Sequence, residues 1–225
     1  MARAAAASAL RRIALPGDFF DRPAFDLAPA LLGCRVVRHT QDGRTSSGLI
    51  VETEAYDGPE DRASHARFGR TARTAPMFGP GGRAYVYLVY GMHWCLNVVA
   101  GPTGRPGAVL VRALASLDGP AGLAVGAGPA DRSVTRAAAG PGRLTRVLAI
   151  DGTLDGVDLT RSGPLWLAAA PADALERLGN DGVVVGPRIG VAYAGTPWAE
   201  VPWRFGWRGH PALSRPFPRE ARAAP

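Results

Sequence analysis

The sequence predicts a single α+β domain built on a curved, mostly antiparallel sheet. Three observations carry this. Apolar residues make up 47% of the 225 residues, enough to bury a sizeable core in one domain. Short stretches of alternating or β-branched character recur between Gly/Pro turns. Helical periodicity is confined to a few segments, with no repeat and no convincing linker between them.

The elements run in order from the N-terminus. Residues 1–13 are Ala/Arg-rich and read as a flexible tail, with no compact apolar run and cleavage site of a signal peptide. GDFFDRPAFDLAPALLG (17–33) reads as a helix capped by Asp26 and ended by Gly33. CRVVRHT and SSGLIVETEAY read as a strand pair joined through QDGR. The polar stretch from Gly58 to Gly82 reads as a loop with a helical turn over Pro59–Ala66. RAYVYLVY, HWCLNVVA and AVLVRALA form an antiparallel meander, with Gly91–Met92 at the first turn. Residues 117–142 hold one weak helical stretch, and GPGRLTRVLAI a short helix. PLWLAAA, GVVVGPRIGVAYA and VPWRFGW read as further strands. The domain is expected to span 14–215, with 216–225 as a flexible tail lacking apolar periodicity.

Composition narrows the function. The net charge is +7 and all 26 basic residues are arginines. Arginine grips phosphate with a two-pronged fork, so the excess suits a polyanion. With no lysine, imine chemistry would fall to the N-terminal amine. Cys34 and Cys95 lack zinc-ligand or disulfide-framework spacing, which fits a reducing, intracellular setting and no metal. No apolar run reaches the roughly 18 residues of a membrane span. P-loop, dinucleotide-binding and GxSxG patterns are absent.

The chemistry concentrates in residues 49–97, which hold four of the five tyrosines. In a regular strand Ile50, Glu52, Glu54 and Tyr56 share one face, and Leu49, Val51, Thr53 and Ala55 the other. The two glutamates would sit about 6.6 Å apart by strand rise. Two readings stand: a paired-carboxylate site, or solvated acids on an exposed face. Tyr85 and Tyr87 share a face as either core or pocket residues. Tyr90 and Met92 at the hairpin tip cannot both be buried in their own sheet, which suggests a wedge between stacked bases. His65 is a loop histidine, and Arg67, Arg70 and Arg73 form either a solvated loop or a phosphate contact. Asn97 is an amide among apolar neighbours and needs a partner if buried.

Taken together, IVETEAY, PEDRASHA, MF with GP soon after, YVYLVYGMHWCLNVV, VLVRAL, RIGVAYA and PWRF resemble the alkyladenine (3-methyladenine) DNA glycosylase family, over roughly residues 14–212. The resemblance implies a monofunctional, cofactor-free and metal-free enzyme on a partly open barrel-like sheet with a protruding hairpin. It implies a monomer acting on damaged purines in double-stranded DNA, in the cytoplasm or at the nucleoid, without a membrane. Glu54 matches the general base, with Arg112 and the backbone carbonyl of Ile189 helping to hold the water. Tyr56, His65 and Tyr87 match the base pocket. Asn97 matches a side chain that clashes with the guanine amine. Tyr90 matches the intercalating residue, with Met92 beside it. His93 stands where some members have tyrosine, and Arg67, Arg70, Arg73 and His93 are candidate backbone contacts. Glu52, Tyr85 and His39 keep their structural readings. Two alternatives remain: a non-catalytic nucleic-acid-binding module, and a carboxylate-dependent hydrolase of free nucleotides or sugars.

Overall fold

A computed structural model of the protein describes residues 14–119 and 136–218, with the backbone of a short strand at 222–223. Most of the weak helical stretch expected over 117–142, and the N-terminal tail, lie outside the described residues. The sheet is antiparallel throughout its described pairs. It contains β1 (Arg35–His39), β2 (Thr45–Asp57), β3 (Ala84–Val89), β4 (His93–Val99), β5 (Gly107–Asp118), β6 (Leu165–Ala168), β7 (Val183–Gly186), β8 (Arg204–Trp207) and β9 (Arg222–Ala223). The order is β3-β4-β5-β2-β8-β7-β9, with β1 bridging β2 and β6. Helices α1 (Ala24–Ala30), α2 (Pro141–Val147) and α3 (Ala172–Asp181) flank it. The result is one α+β domain on a sheet curled into a half-barrel. The meander β3-β4-β5 keeps the expected order.

The long β2 organises everything else, and both its faces are buried. The exposed-face reading of Glu52 and Glu54 is therefore corrected: each is fully buried. Strict alternation also fails here. Ile50 packs in the main core with Ala55, while Leu49 and Val51 pack with Trp207 and Ala174 in a second cluster. The cause is a pair of register shifts against β5 between Ile50 and Thr53. A bulge places consecutive residues on one side and reverses the parity of the strand beyond it. After it, Thr53 and Ala55 face α1, and the Thr53 hydroxyl donates to the Ala28 carbonyl (2.8 Å). Glu52, Glu54 and Tyr56 are left facing away from the main core.

Several expected elements differ. The 17–33 helix is split into a 3-10 turn at Gly17–Phe20 and α1, because Pro23 occupies the N-cap position. Asp26 lies inside the first turn and does not cap. The helical turn expected at Pro59–Ala66 forms instead at His65–Phe68, where the Ser64 hydroxyl accepts from the Ala66 amide. α3 is an addition to the expected elements; it buries Ala174 and packs Leu178 against both apolar clusters, while Leu175 is exposed. GVVVGPRIGVAYA is a strand only through Gly186 and then a loop with a 3-10 turn at Ala192–Ala194. Two contacts involve residues past Pro216. The Arg204 guanidinium lies 3.8 Å from the Phe217 ring centre, and β9 pairs with β7.

Candidate active site

The open end of the half-barrel holds a cavity of about 490 Å³ lined by Tyr56, His65, Tyr87, Asn97, Arg112 and Ile189, together with Arg73, Tyr85, Tyr90 and Tyr193. The expected pocket residues thus converge from β2, β3, β4, β5 and two loops.

Glu54 is fully buried and lies behind this lining, in contact with three of its residues, Tyr56, Arg112 and Ile189. Its Oε1 accepts from the Ile189 amide (2.7 Å), and its Oε2 from the Tyr56 hydroxyl (2.9 Å). Arg112 Nη1 lies 3.2 Å from Oε2. Burial pushes the Glu54 carboxyl above its usual range, against the pull of Arg112, the Ile189 N–H and Tyr56. Ile189 meets Glu54 through its amide, a contact separate from the water-holding role that the resemblance implies for its carbonyl.

Glu52 plays a different part from its neighbour. Its Oε1 accepts from Arg112 Nε (3.1 Å), Arg204 Nε (2.8 Å) and the Ser214 hydroxyl (2.8 Å). Its Oε2 accepts from the Ser214 amide (2.5 Å). Arg112 is thus gripped from behind by Glu52 and presented forward to Glu54. The two carboxylates are not an acid/base pair across one gap; one positions the cation that contacts the other. Two guanidiniums on one buried carboxylate satisfy the requirement that a buried charge be paired and hydrogen-bonded.

The walls are aromatic. The His65 and Tyr87 rings meet edge to face at 4.6 Å, and Tyr85 and Tyr87 lie 5.1 Å apart. A guanidinium already lies against two of the walls: Arg188 is 4.8 Å from the Tyr56 ring centre and Arg73 is 5.2 Å from that of Tyr87. Asn97 is buried, and its Nδ2 donates to the Tyr85 carbonyl (3.0 Å), so its amide plane is fixed at the cavity wall.

Beside the cavity the β3–β4 hairpin projects. Tyr90 is 87% and Met92 70% exposed, the outcome expected of two large residues at a tip. Tyr90 adopts φ 52° and Gly91 φ 67°. Glycine tolerates that region; tyrosine is rarely found there, and such strain collects at functional sites. The turn therefore holds the Tyr90 ring out into solvent at a conformational cost.

The comparison with known proteins decides the family. The methylpurine-DNA glycosylase pattern matches residues 18–211. A relative in Anaeromyxobacter dehalogenans strain 2CP-1 is 47% identical over 210 residues, covering 93% of this chain and 89% of the relative. One in Frankia casuarinae is 46% identical over 207 residues, covering 89% and 92%. One in Methanocella arvoryzae is 43% identical over 204 residues, covering 91% and 97%. Each bears the name "Putative 3-methyladenine DNA glycosylase". The chain belongs to the methylpurine-DNA glycosylase family.

In this family member the candidate backbone contacts separate into distinct places. Arg73 lines the cavity. Arg67 donates to the Arg62 carbonyl and lies 4.4 Å from the Phe68 ring centre and 5.2 Å from that of Tyr193, outside the cavity wall. Arg70 is exposed. His93 is exposed and packs over Gly142 of α2; a Cβ there would lie 3.0 Å from His93, so a larger residue would press the His93 side chain aside. His39 bonds Thr45 through Nδ1 (2.9 Å) across the β1–β2 pair, far from these residues.

The cavity walls also rest on residues that sequence reasoning did not single out. Asp61 and Arg188 form a fully buried double bridge (2.5 and 2.9 Å), and Arg188 also donates to the carbonyls of Ala55 (2.9 Å) and Trp198 (3.0 Å). This pins the loop bearing Ile189 to the loop leading to His65. Tyr193 reaches across to the Ala63 carbonyl (3.0 Å). Nothing local marks Asp61 or Arg188, since the partners are 127 residues apart. Among the described residues no cluster of His, Cys, Asp or Glu is placed to hold a metal ion. No described helix is long and apolar enough to cross a membrane. Cys34 and Cys95 are buried, and burial pushes both thiols up to about 11.

Proposed function

We propose that this DNA glycosylase extrudes a damaged purine from duplex DNA into the aromatic cavity and hydrolyses its N-glycosidic bond, with Glu54 activating the water. The observation that carries this reading is the fully buried Glu54 carboxylate, held by Arg112, Tyr56 and the Ile189 amide, three residues that themselves line a cavity walled by flat rings.

Atoms and electrons balance in one displacement. Water oxygen forms a bond to C1′ of the sugar. The C1′–N bond breaks, and its electron pair leaves with the base. One water proton passes to the Glu54 carboxylate. For a cationic alkylated purine the departing pair neutralises the ring. The sugar passes through an oxocarbenium-like state that an adjacent carboxylate stabilises. Arg112 keeps Glu54 oriented and favours its ionised form, which burial alone would suppress.

Stacking on Tyr56, Tyr87 and His65 would hold the base. Cation–π attraction contributes less than bare rings would give, because Arg188 and Arg73 already lie against Tyr56 and Tyr87. That favours including neutral deaminated purines beside alkylated ones. Tyr90 and Met92 would fill the gap left by the extruded base. Arg67, Arg70 and His93, with the +7 net charge, would meet the phosphate backbone. One chain supplies every group named, which supports action as a monomer. The absence of lysine supports a reaction that stops at the abasic site.

The test is incubation with duplex DNA carrying one 3-methyladenine or hypoxanthine, in EDTA. Free base and an unbroken strand that alkali then cleaves are expected. Strand scission before alkali would remove the monofunctional assignment. Release from free nucleosides alone would favour a nucleoside hydrolase, and binding without release a non-catalytic module.

A further inference from the structure

Ser214 lies outside the sheet, in the segment after β8, yet it bonds both members of the buried Arg112–Glu52 pair. Its Oγ accepts from Arg112 Nη2 (3.2 Å) and donates to Glu52 Oε1 (2.8 Å). That assignment is forced, because arginine can only donate and a hydroxyl has one proton to give. Nε and Nη2 form one edge of a guanidinium, and the two oxygens of a single carboxylate commonly fill it. Here Glu52 offers that edge only Oε1, which accepts from Arg112 Nε (3.1 Å). Its Oε2 is turned to the Ser214 amide (2.5 Å), so the Ser214 hydroxyl supplies the second acceptor of the fork. With that edge filled, Nη1 lies 3.2 Å from Glu54 Oε2. The segment bearing Ser214 is fixed in turn through its main chain. Arg204 donates to the carbonyls of Arg215 and Pro216, and Arg136 to those of Pro211 (3.4 Å) and Ser214 (3.5 Å). Arg112 lines the cavity and Ser214 does not, so Ser214 can reach the reaction only through Arg112.

We infer that Ser214 is a positioning residue, whose hydroxyl sets the rotation of the Arg112 guanidinium and with it the hold of Nη1 on Glu54. This rests on the reading of Glu54 as the base. Without the hydroxyl, Nη2 loses its acceptor. The guanidinium can then swing about its bond to Glu52 Oε1 and draw Nη1 away from Glu54. Burial raises the Glu54 pKa, and Arg112 is the first influence against it, so a loosened Arg112 leaves Glu54 ionised only at higher pH. The other charged and titratable groups facing Glu54 are Glu52 and Tyr56 on β2, Arg204 on β8 and Cys95 on β4. Of these only Glu52 bonds Ser214, and it keeps the Ser214 amide and Arg204 when the hydroxyl is removed.

The test compares Ser214→Ala and Ser214→Thr with wild type, well below their melting temperatures. Single-turnover excision of 3-methyladenine and hypoxanthine from duplex DNA is followed across pH, beside binding of the same DNA. Ser214→Ala should bind lesion DNA as wild type does and excise about five- to tenfold more slowly at neutral pH, the scale of one hydrogen bond. The acidic limb of its pH profile should move to higher pH. Ser214→Thr keeps the hydroxyl and should restore both rate and limb. A folded Ser214→Ala variant with the wild-type rate and limb overturns the proposal. So does a slower variant whose limb has not moved, which marks a purely structural effect, or a Ser214→Thr variant as impaired as Ser214→Ala. Wild-type protein that releases neither base overturns the glycosylase reading and this role with it; wild-type release with an unaltered Ser214→Ala profile overturns this role alone.

Discussion

Glu54→Gln isolates the proposed base. Glutamine is nearly isosteric but cannot take a proton from water. The site is also wrong for an amide, because Glu54 Oε1 and Oε2 both accept, from the Ile189 amide on one side and from Tyr56 and Arg112 on the other. Either orientation of the glutamine sets an NH₂ against at least one donor. An unmet buried donor costs about 1–3 kcal/mol, partly offset because the neutral side chain needs no desolvation of charge. The fold should therefore survive with a modestly lowered Tm. Excision should fall by at least ~10², since general bases contribute 10²–10⁴. The pH dependence supplies a second check. The folded-state pKa of Glu54 is raised by burial, so the protonated form is favoured on folding. Its stabilising contribution is present at low pH and is lost as pH rises through the raised pKa, while excision rises over the same window as the base ionises. Glu54→Gln should flatten both profiles. Single-turnover excision of hypoxanthine, with melting curves across pH, measures all of this. Excision at more than half the wild-type rate would refute the role of Glu54 as base.

Three further outcomes are expected. Tyr90→Ala should weaken binding and excision on duplex DNA far more than on single strands, because a wedge acts only against a stacked partner strand; equal losses in paired assays would make Tyr90 a pocket residue. Asn97→Ser should raise excision of guanine-type lesions relative to hypoxanthine by opening space at the wall, and should lower stability by about 1 kcal/mol through the lost bond to the Tyr85 carbonyl; a lower Tm with an unchanged lesion ratio would leave Asn97 a structural amide. Asp61→Asn should destabilise by about 3–5 kcal/mol, because it strands the buried Arg188 charge, and denaturant titration beside wild type checks this.

The sequence by itself determined the strand-rich core, the projecting hairpin and three of the rings around the cavity, Tyr56, His65 and Tyr87, while Tyr85 and Tyr193 join them only in the fold. Period-two alternation and turn chemistry are local, so β3, β4 and their tip were legible from RAYVYLVYGMHWCLN. The family pattern then selected Glu54 over Glu52, which alternation alone placed side by side. Tertiary structure decided what separates those two carboxylates. The bulge in β2 turns both away from the main core, a shift set by pairing with β5 that alternation along one strand cannot reveal. The Ile189 amide reaches Glu54 across 135 residues, and Ser214 reaches Glu52 across 162. The sequence-level expectation of solvated acids failed for this reason: burial and partner choice belong to surfaces brought together by folding. A residue's type fixes what it can donate or accept; only the packed neighbours fix its proton, its charge and its task.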